Sequence, residues 1–344
     1  KISRDFEKMF NPCFTYNHEL VNKLLEINSI RDFIVNAPVV LEMEVSLKRE
    51  ALLKSAHHST AIEGNPLSLN QVDKLAKGIK IQGQKRATQE VLNYLNVLKD
   101  MDSYIEDGKI TEKNVLKLHE NITHYTLEYT YLEGQYRSEP VYVVNQEGDI
   151  VFTPPNANLV PGQIQDLLEW INNTSGELNA VISAGIIHYE FVRIHPFVDG
   201  NGRTGRALAA IYLYLRGFDV DFTLDEYYNN NRQAYYHALN SVDPQTQDLT
   251  DWLLYFLEGF LTSIDEIKNR IMLFPAGAPV KIKLTEKMLK ILEYVHLNGS
   301  ITNSEVQKLL NISRQGAYKD LRSLMDKGII EKKGGSRSTY YILK

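Results

Sequence analysis

The 344-residue chain holds a single cysteine, Cys13. An internal disulfide framework and a cysteine-rich zinc site are both excluded, and a lone thiol suits a reducing compartment. Long apolar runs are also missing. No stretch reaches the roughly 18–20 residues that a membrane-spanning helix needs, so no membrane partner is expected. No secretory signal is visible after Lys1, which makes the cytoplasm the default location. One-sided charge is absent too: a net charge of −5 does not describe a general polyanion binder. There is no internal repeat and no low-complexity tract. What is present is ordinary for a folded soluble protein, with 43 % hydrophobic and 24 % charged residues. The length allows two or three domains.

The charge is unevenly spread. Residues 283–344 contain twelve Lys and Arg against six Asp and Glu, a local +6 that leaves −11 for the first 282 residues. A composition break lies just before that module, where Phe274-Pro275-Ala276-Gly277-Ala278-Pro279 reads as a linker. The divisions expected are an N-terminal helical region over 1–110, a core over 111–272, a linker over 273–282 and a C-terminal module over 283–344.

Most of the chain reads as helix. Residues 1–35 lack clear periodicity and suggest an N-terminal arm or short helices. From about Val39 to Ala61 the positions Leu41, Val45, Leu52, Ser55, Ser59 and Ile62 share one face. Glu63-Gly64-Asn65-Pro66 ends that helix, with glycine suited to the cap and proline unable to continue. Further helices are predicted over 69–77, 88–106, 111–125, 160–172, 177–192, 202–216, 229–240 and 247–270. Between them, Val141, Val143, Ile150 and Phe152 flank Asn145-Gln146-Glu147-Gly148-Asp149, the pattern of a β-hairpin. After the linker, helices over 283–297, 304–310 and 313–327 precede strands over 329–333 and 339–343, with Asn303 or Ser304 as a cap. Three helices followed by a two-stranded wing describe a winged helix-turn-helix.

The segment 195–206, His-Pro-Phe-Val-Asp-Gly-Asn-Gly-Arg-Thr-Gly-Arg, joins two helical patterns and concentrates the chemistry. Gly200-Asn201-Gly202 opens a helix, where outward backbone N–H groups form an anion site of phosphate size. Arg203 and Arg206, three apart, share a face beside it and match a polyphosphate. Asp199 is a hard oxygen ligand of the kind that holds Mg²⁺ next to phosphates. His195 is the group with an ordinary pKa near neutrality, as a general base requires. Together these parts suggest transfer from a nucleotide to a hydroxyl. The glycine spacing is not that of a P-loop or a Rossmann fingerprint.

This string resembles the Fic motif His-x-Phe-x-[Asp/Glu]-Gly-Asn-Gly-Arg-x-x-Arg at every fixed position. The resemblance covers roughly residues 40–262 and implies a mainly α, Fic-type helical core with a small β-hairpin flap. It implies a protein adenylyltransferase that moves AMP from ATP, with Mg²⁺, to a Ser, Thr or Tyr hydroxyl of a target protein or of itself, releasing pyrophosphate. His195 would take the hydroxyl proton and Asp199 would bind Mg²⁺. Gly200, Asn201, Gly202 and Arg203 would cradle the α- and β-phosphates, with Thr204 and Gly205 in the same binding string, and Arg206 would hold the γ-phosphate. The flap, Val143, Val144, Asn145 and Gln146, would clamp a target segment by strand pairing. Tyr235-Tyr236 resembles the family's pair near the adenine, although an aromatic pair on a helix also suits a core. Asp243 stands where some relatives carry an adenine-contacting asparagine.

Ser59-Thr60-Ala61-Ile62-Glu63-Gly64-Asn65 resembles the family's inhibitory signature, here upstream of the catalytic string. Its Glu63 would pair with Arg206 and take the donor meant for the γ-phosphate. The same glutamate could turn the reaction towards removal of AMP. The resemblance also implies a homodimer. In the C-terminal module, Arg314, Gln315, Tyr318, Lys319 and Arg322 form the expected recognition helix, and Lys332, Lys333 and Arg337 lie in the wing. These types suit DNA, while small winged helices also bind proteins. The alternative function is a DNA-binding regulator with a nucleotide-sensing Fic domain.

Overall fold

The computed structural model describes residues 10–37, 41–144, 148–218, 222–273, 285–335 and 339–344. They form fourteen α-helices and two two-stranded antiparallel sheets. No helix among them is long and apolar enough to cross a membrane.

Helix α7 (Ala180–Ile194) is the axis of the larger core. Eleven of its residues are buried, from Val181 to Ile194, so it has almost no solvent face. Helix α8 (Asn201–Leu215) packs along it, as does α11 (Thr250–Leu273). Trp252 on α11 donates its indole N–H to the Gly185 carbonyl of α7 at 2.8 Å, so a fully buried indole leaves no donor unpaired. Helices α4 (Lys85–Lys99), α5 (Glu112–Thr123) and α6 (Val160–Asn173) complete this core from the other sides.

Helix α2 (Leu41–Ile62) starts and stops close to the boundaries expected from the sequence. It is ended by Gly64, which adopts φ +90° and donates its N–H to Ala61. Other elements depart from expectation. The N-terminal segment is a 19-residue helix, α1 (His18–Asn36), capped by Asn17. Its Leu20, Leu24, Ile27 and Ile30 pack on α11, but exposed Val21, Leu25, Phe33 and Val35 blur the apolar stripe in sequence. The helix expected over 88–106 is shorter and ends at Lys99, before a 3₁₀ turn over Met101–Tyr104. The helix expected over 229–240 is two, α9 (Leu224–Asn230) and α10 (Arg232–Asn240). Asn231 breaks the run, because its side chain accepts from Ala234 N and caps the second piece.

The hairpin is present but short. Strands β1 (Val143–Val144) and β2 (Ile150–Phe152) pair antiparallel, with Val143 opposite Phe152 and Val144 opposite Ile150. Asn145 and Gln146 of the expected flap lie outside the described residues, as does most of the linker.

The C-terminal module has its own core, built from Ile291, Val295, Ile301, Val306, Ala317, Leu321, Leu324, Ile330 and Tyr341 among others. Helices α12 (Glu286–Asn298), α13 (Asn303–Leu310) and α14 (Arg314–Asp326) are followed by β3 (Ile330–Lys333) and β4 (Tyr340–Leu343) in one antiparallel ladder. The cap of α13 is Thr302, not Asn303 or Ser304 as the sequence suggests. Thr302 and Glu305 form a reciprocal capping box there.

Candidate active site

The turn between α7 and α8 gathers the string 195–206. His195 caps α7 in the left-handed region, at φ 51°, and its backbone N–H bonds to Phe191. Few side chains other than Asn and Asp adopt that conformation without cost. Arg137 holds it there. Its guanidinium donates to the carbonyls of His195 (2.7 Å), Ile194 (3.4 Å) and Pro155 (2.5 Å), and its own N–H donates to Pro196 (2.9 Å). Arg137 precedes β1 and Pro155 follows β2, so this one buried side chain pins both ends of the hairpin to the histidine turn.

The His195 ring contacts the Val192 carbonyl through Nδ1 at 3.2 Å. That contact places the proton on Nδ1 and leaves Nε2 as the acceptor. Burial pushes the imidazole pKa below its usual 6.5, and the Val192 hydrogen bond offsets part of that shift. The ring is therefore neutral around pH 7, with its free lone pair on Nε2.

The loop 197–201 is self-bracing. Asn201 accepts from Phe197 N and donates to Phe197 O, both at 2.9 Å. Its side chain is thus spent on loop shape, and what it offers a ligand is backbone. Gly200 sits at φ +80°, and a Cβ there would meet Thr123 at 2.7 Å, so both dihedral and space require glycine. Helix α8 begins at this point with no side-chain cap, leaving its first N–H groups to an external anion. Asp199 has a half-exposed carboxylate (51 %) whose Oδ1 accepts from Gly200 N at 2.6 Å.

The two arginines differ sharply. Arg203 is 3 % exposed, yet its Nε and Nη1 have no hydrogen-bond partner, and its nearest carboxylate, Asp199, is 3.8 Å away. Buried guanidinium donors without acceptors are costly, and their position beside the α8 N-terminus fits a polyanion. Arg206 is engaged instead through its Nε and Nη2. Nε donates to Ser59 Oγ at 2.8 Å, and Nη2 donates to Ser59 O and to Glu63 Oε1, each at 2.9 Å. Asp225 Oδ1 lies 3.2 Å from Nε as an ion pair, without a hydrogen bond, because the Nε proton goes to Ser59. These carboxylates, Glu63 foremost, hold the Arg206 pKa well above its ordinary value despite full burial. Glu63 also lies against Gly202: a Cβ at that position would collide with its carboxylate. The glutamate therefore occupies the space over the uncapped end of α8.

Other residues of the string serve the scaffold. Thr204 bonds back to the Gly200 carbonyl at 2.8 Å, and Gly205 lets α8 approach Val192 and Phe191 of α7. Both face the interior of the helix pair. The tyrosine pair divides: Tyr235 is 1 % exposed, bonded to His188 at 2.9 Å and stacked on Tyr228, so it belongs to the core. Tyr236 is 43 % exposed and borders the site from the solvent side, while Tyr235 meets Arg206 from within the core; both feel the charges of Glu63 and Arg206. Asp243 turns inward on its own loop, accepting from Gln245 N and Thr246 N.

Three neighbours were not singled out from sequence as parts of the site. His119 on α5 stacks on Phe197, with ring centroids 3.6 Å apart, and joins Asp199 O through Nε2 at 3.0 Å. Its Nδ1 accepts from Gly134 N at 2.9 Å, which fixes the proton on Nε2. Burial lowers its pKa to about 4. Asp225 and Ser55 sit behind Arg206, with Ser55 Oγ donating to Asp225 Oδ2 at 2.7 Å. Among the described residues no group of three His, Cys, Asp or Glu is arranged to hold a metal ion, so Asp199 stands as a single carboxylate. One carboxylate beside a phosphate nest fits Mg²⁺, which keeps most of its waters and takes phosphate oxygens as ligands.

Comparison with known proteins agrees with this geometry. Residues 109–213 match the model of the Fic/DOC family, and residues 284–331 match a winged helix-turn-helix DNA-binding model. The chain is 32 % identical to protein adenylyltransferase fic-1 of Caenorhabditis elegans, over 50 % of this chain and 34 % of that protein. It is 30 % identical to protein adenylyltransferase Fic of Drosophila melanogaster, over 65 % of this chain and 45 % of that protein. The chain thus spans between a third and a half of the length of these curated relatives. The crystal structure of a Fic family protein from Desulfovibrio desulfuricans G20 superposes with a TM-score of 0.67 at 26 % identity, covering 97 % of this chain and 98 % of that one. The chain is thus similar to Fic/DOC proteins through residues 109–213, and a winged helix-turn-helix module follows that segment.

Proposed function

We propose that this protein is an adenylyltransferase that moves AMP from ATP to a hydroxyl of a protein target, and that Glu63 restrains it. The observation that carries this reading is the contrast between the arginines. Arg203 keeps two buried donors unpaired, while the donor of Arg206 that would meet a terminal phosphate is taken by Glu63.

His195 Nε2 takes the proton of a target Ser, Thr or Tyr, and the oxygen attacks the α-phosphorus. An oxygen–phosphorus bond forms, the α–β anhydride bond breaks, and pyrophosphate departs. The N–H groups of Gly202 and Arg203, with the Arg203 guanidinium, bind the phosphate oxygens. Asp199 would hold Mg²⁺, which when bound neutralises charge on the phosphates. The exposed hairpin, with Tyr142, Val144, Ile150 and Val151 towards solvent, would pair with an extended target segment. Glu63 opposes ATP in two ways: it takes a donor from the γ-phosphate, and it puts negative charge against the nest.

Mass spectrometry of Glu63→Gly incubated with ATP and Mg²⁺ tests this reading. A gain equal to one adenylyl group on the protein, lost in Glu63→Gly/His195→Ala, is the expected result. An unmodified protein that still binds ATP would refute self-modification and point to sensing.

DNA binding is a second reading, favoured by a specific surface. Arg314, Gln315, Tyr318, Lys319 and Arg322 are all exposed on one side of α14, and Lys332 and Lys333 are exposed on β3. The whole chain would bind duplex DNA through this face, less tightly as salt rises. Arg314→Ala/Arg322→Ala should reduce that binding and its salt slope. Binding unaffected by the double substitution would remove this face from consideration.

A further inference from the structure

Helix α2 presents Ser55, Ser59 and Glu63 at intervals of four, so the three side chains lie on one face. Each touches the same buried pair. Ser55 Oγ donates to Asp225 Oδ2 at 2.7 Å, Ser59 accepts from Arg206 through both its hydroxyl and its carbonyl, and Glu63 accepts from Arg206 Nη2 at 2.9 Å. Arg206 therefore has two carboxylates of different character. Asp225 is 9 % exposed and faces Nε; Glu63 is 38 % exposed and faces Nη2. One is enclosed by α2, α8 and α9, and the other lies at the mouth of the site.

We infer that Asp225 is a positioning residue for Arg206. It holds the Nε edge of the guanidinium from behind, so that the Nη edge stays aimed at the site whichever anion is there, Glu63 or a terminal phosphate. Rigid placement matters because a free arginine side chain carries considerable rotamer entropy, which a fixed fork does not lose again on binding. Ser55 anchors the carboxylate in turn, and its oxygen lies 3.1 Å from Thr223 Oγ1, whose hydroxyl can donate to it. A second consequence is that exchange of Glu63 for phosphate leaves the buried cation paired throughout, so the brake can lift without an isolated charge in the core. Within the adenylyltransferase reading, on which this inference rests, Asp225 acts on the terminal phosphate through Arg206.

The test compares nucleotides of different length on purified full-length protein. In a Glu63→Gly background, ATP and AMP affinities are measured by calorimetry with Mg²⁺ present, and KM for ATP is measured beside kcat. Asp225→Asn removes the ion pair behind Arg206 and is expected to weaken ATP binding about tenfold. AMP binding should change little, and the loss should appear in KM more than in kcat. Equal weakening of both nucleotides would mean a merely structural role, and no change in ATP would mean that Arg206 needs no help. Tighter ATP binding would mean that Asp225 repels the phosphates. Each of these outcomes overturns the inference. If Asp225→Asn does not fold, Ser55→Ala keeps the charge and loosens its anchor, and it should shift the ATP-to-AMP affinity ratio in the same direction by less. An unshifted ratio there counts against the proposal. A Glu63→Gly parent that binds ATP no better than AMP and transfers nothing sinks the adenylyltransferase reading itself, and Asp225 with it.

Discussion

Replacing Glu63 is the most informative perturbation of this molecule, and its size can be reasoned from the contact it breaks. The Oε1–Nη2 distance is 2.9 Å, and the arginine is buried while the glutamate side chain is 38 % exposed. A hydrogen bond between charged groups contributes about 1.5–3 kcal/mol when well shielded, and solvent at the glutamate reduces this pair to about 1–2 kcal/mol. ATP binding in the productive arrangement must displace that pair, so removing it should strengthen productive binding by about 5–30-fold. The steric part adds to this, because the carboxylate also fills the space over Gly202. Glu63→Gly removes charge and bulk together. Glu63→Gln keeps the bulk and removes the charge, so it should fall between wild type and Glu63→Gly. The assay is the rate of AMP incorporation into the protein at several ATP concentrations. If Glu63→Gly gains less than about twofold, or if Glu63→Gln matches wild type while Glu63→Gly is released, competition for Arg206 is the wrong account.

Two pH effects follow from the buried histidines. His195 is held neutral by burial below the usual 6.5, so the rate should stay level from neutrality down to about pH 6.5 and fall only in more acid solution. A rate that halves above pH 7 would contradict that state of the base. His119 has its pKa lowered to about 4 by burial. Between that value and 6.5 the unfolded chain binds a proton that the folded chain does not, so stability must fall as pH drops through this range. The cost reaches about 3 kcal/mol at the acid end. Chemical denaturation from pH 7 to pH 4.5 measures it. His119→Gln should flatten the slope by about one proton, and an unaltered slope would show that His119 is not the group responsible. Arg137→Lys should lower the rate more than it lowers Tm, since one ammonium cannot bridge His195, Ile194 and Pro155 together. Equal effects on both would make Arg137 a scaffold residue.

The string 195–206 was legible because its chemistry is contiguous: a histidine, a carboxylate, a glycine-flanked helix start and two arginines lie within twelve residues. The Glu63 signature was legible through resemblance, and its place over α8 depends on packing that no local pattern reveals. Residues that brace the site were less visible. His119 meets Asp199 across 80 positions, and Arg137 meets His195 across 58. His119 looks like an ordinary polar residue until the fold closes, and Arg137, noticeable beside the flap segment, shows its contact with His195 only then. Tyr235 and Tyr236 are neighbours with opposite fates, one in the core and one at the mouth, because successive helix positions point about 100° apart. The N-terminal segment, which reads as an arm or short helices, is one long helix α1, and the reason is related: four of its apolar residues stay at the surface, so composition failed to mark its buried stripe. In the C-terminal module the three-helix-and-wing pattern was readable because the helices are short and clearly separated, although their caps at Thr285, Thr302 and Ser313 were not read.

The central claim is that this active site transfers the α-phosphoryl group with its nucleoside and that Glu63 holds it back. Wild type, Glu63→Gly and Glu63→Gly/His195→Ala, each incubated with Mg²⁺ and ATP labelled on either the α- or the γ-phosphate, test it directly. The account predicts protein-bound label from the α position only, increased by Glu63→Gly and abolished by His195→Ala. Label arriving from the γ position, or α-label that persists without His195, would contradict it.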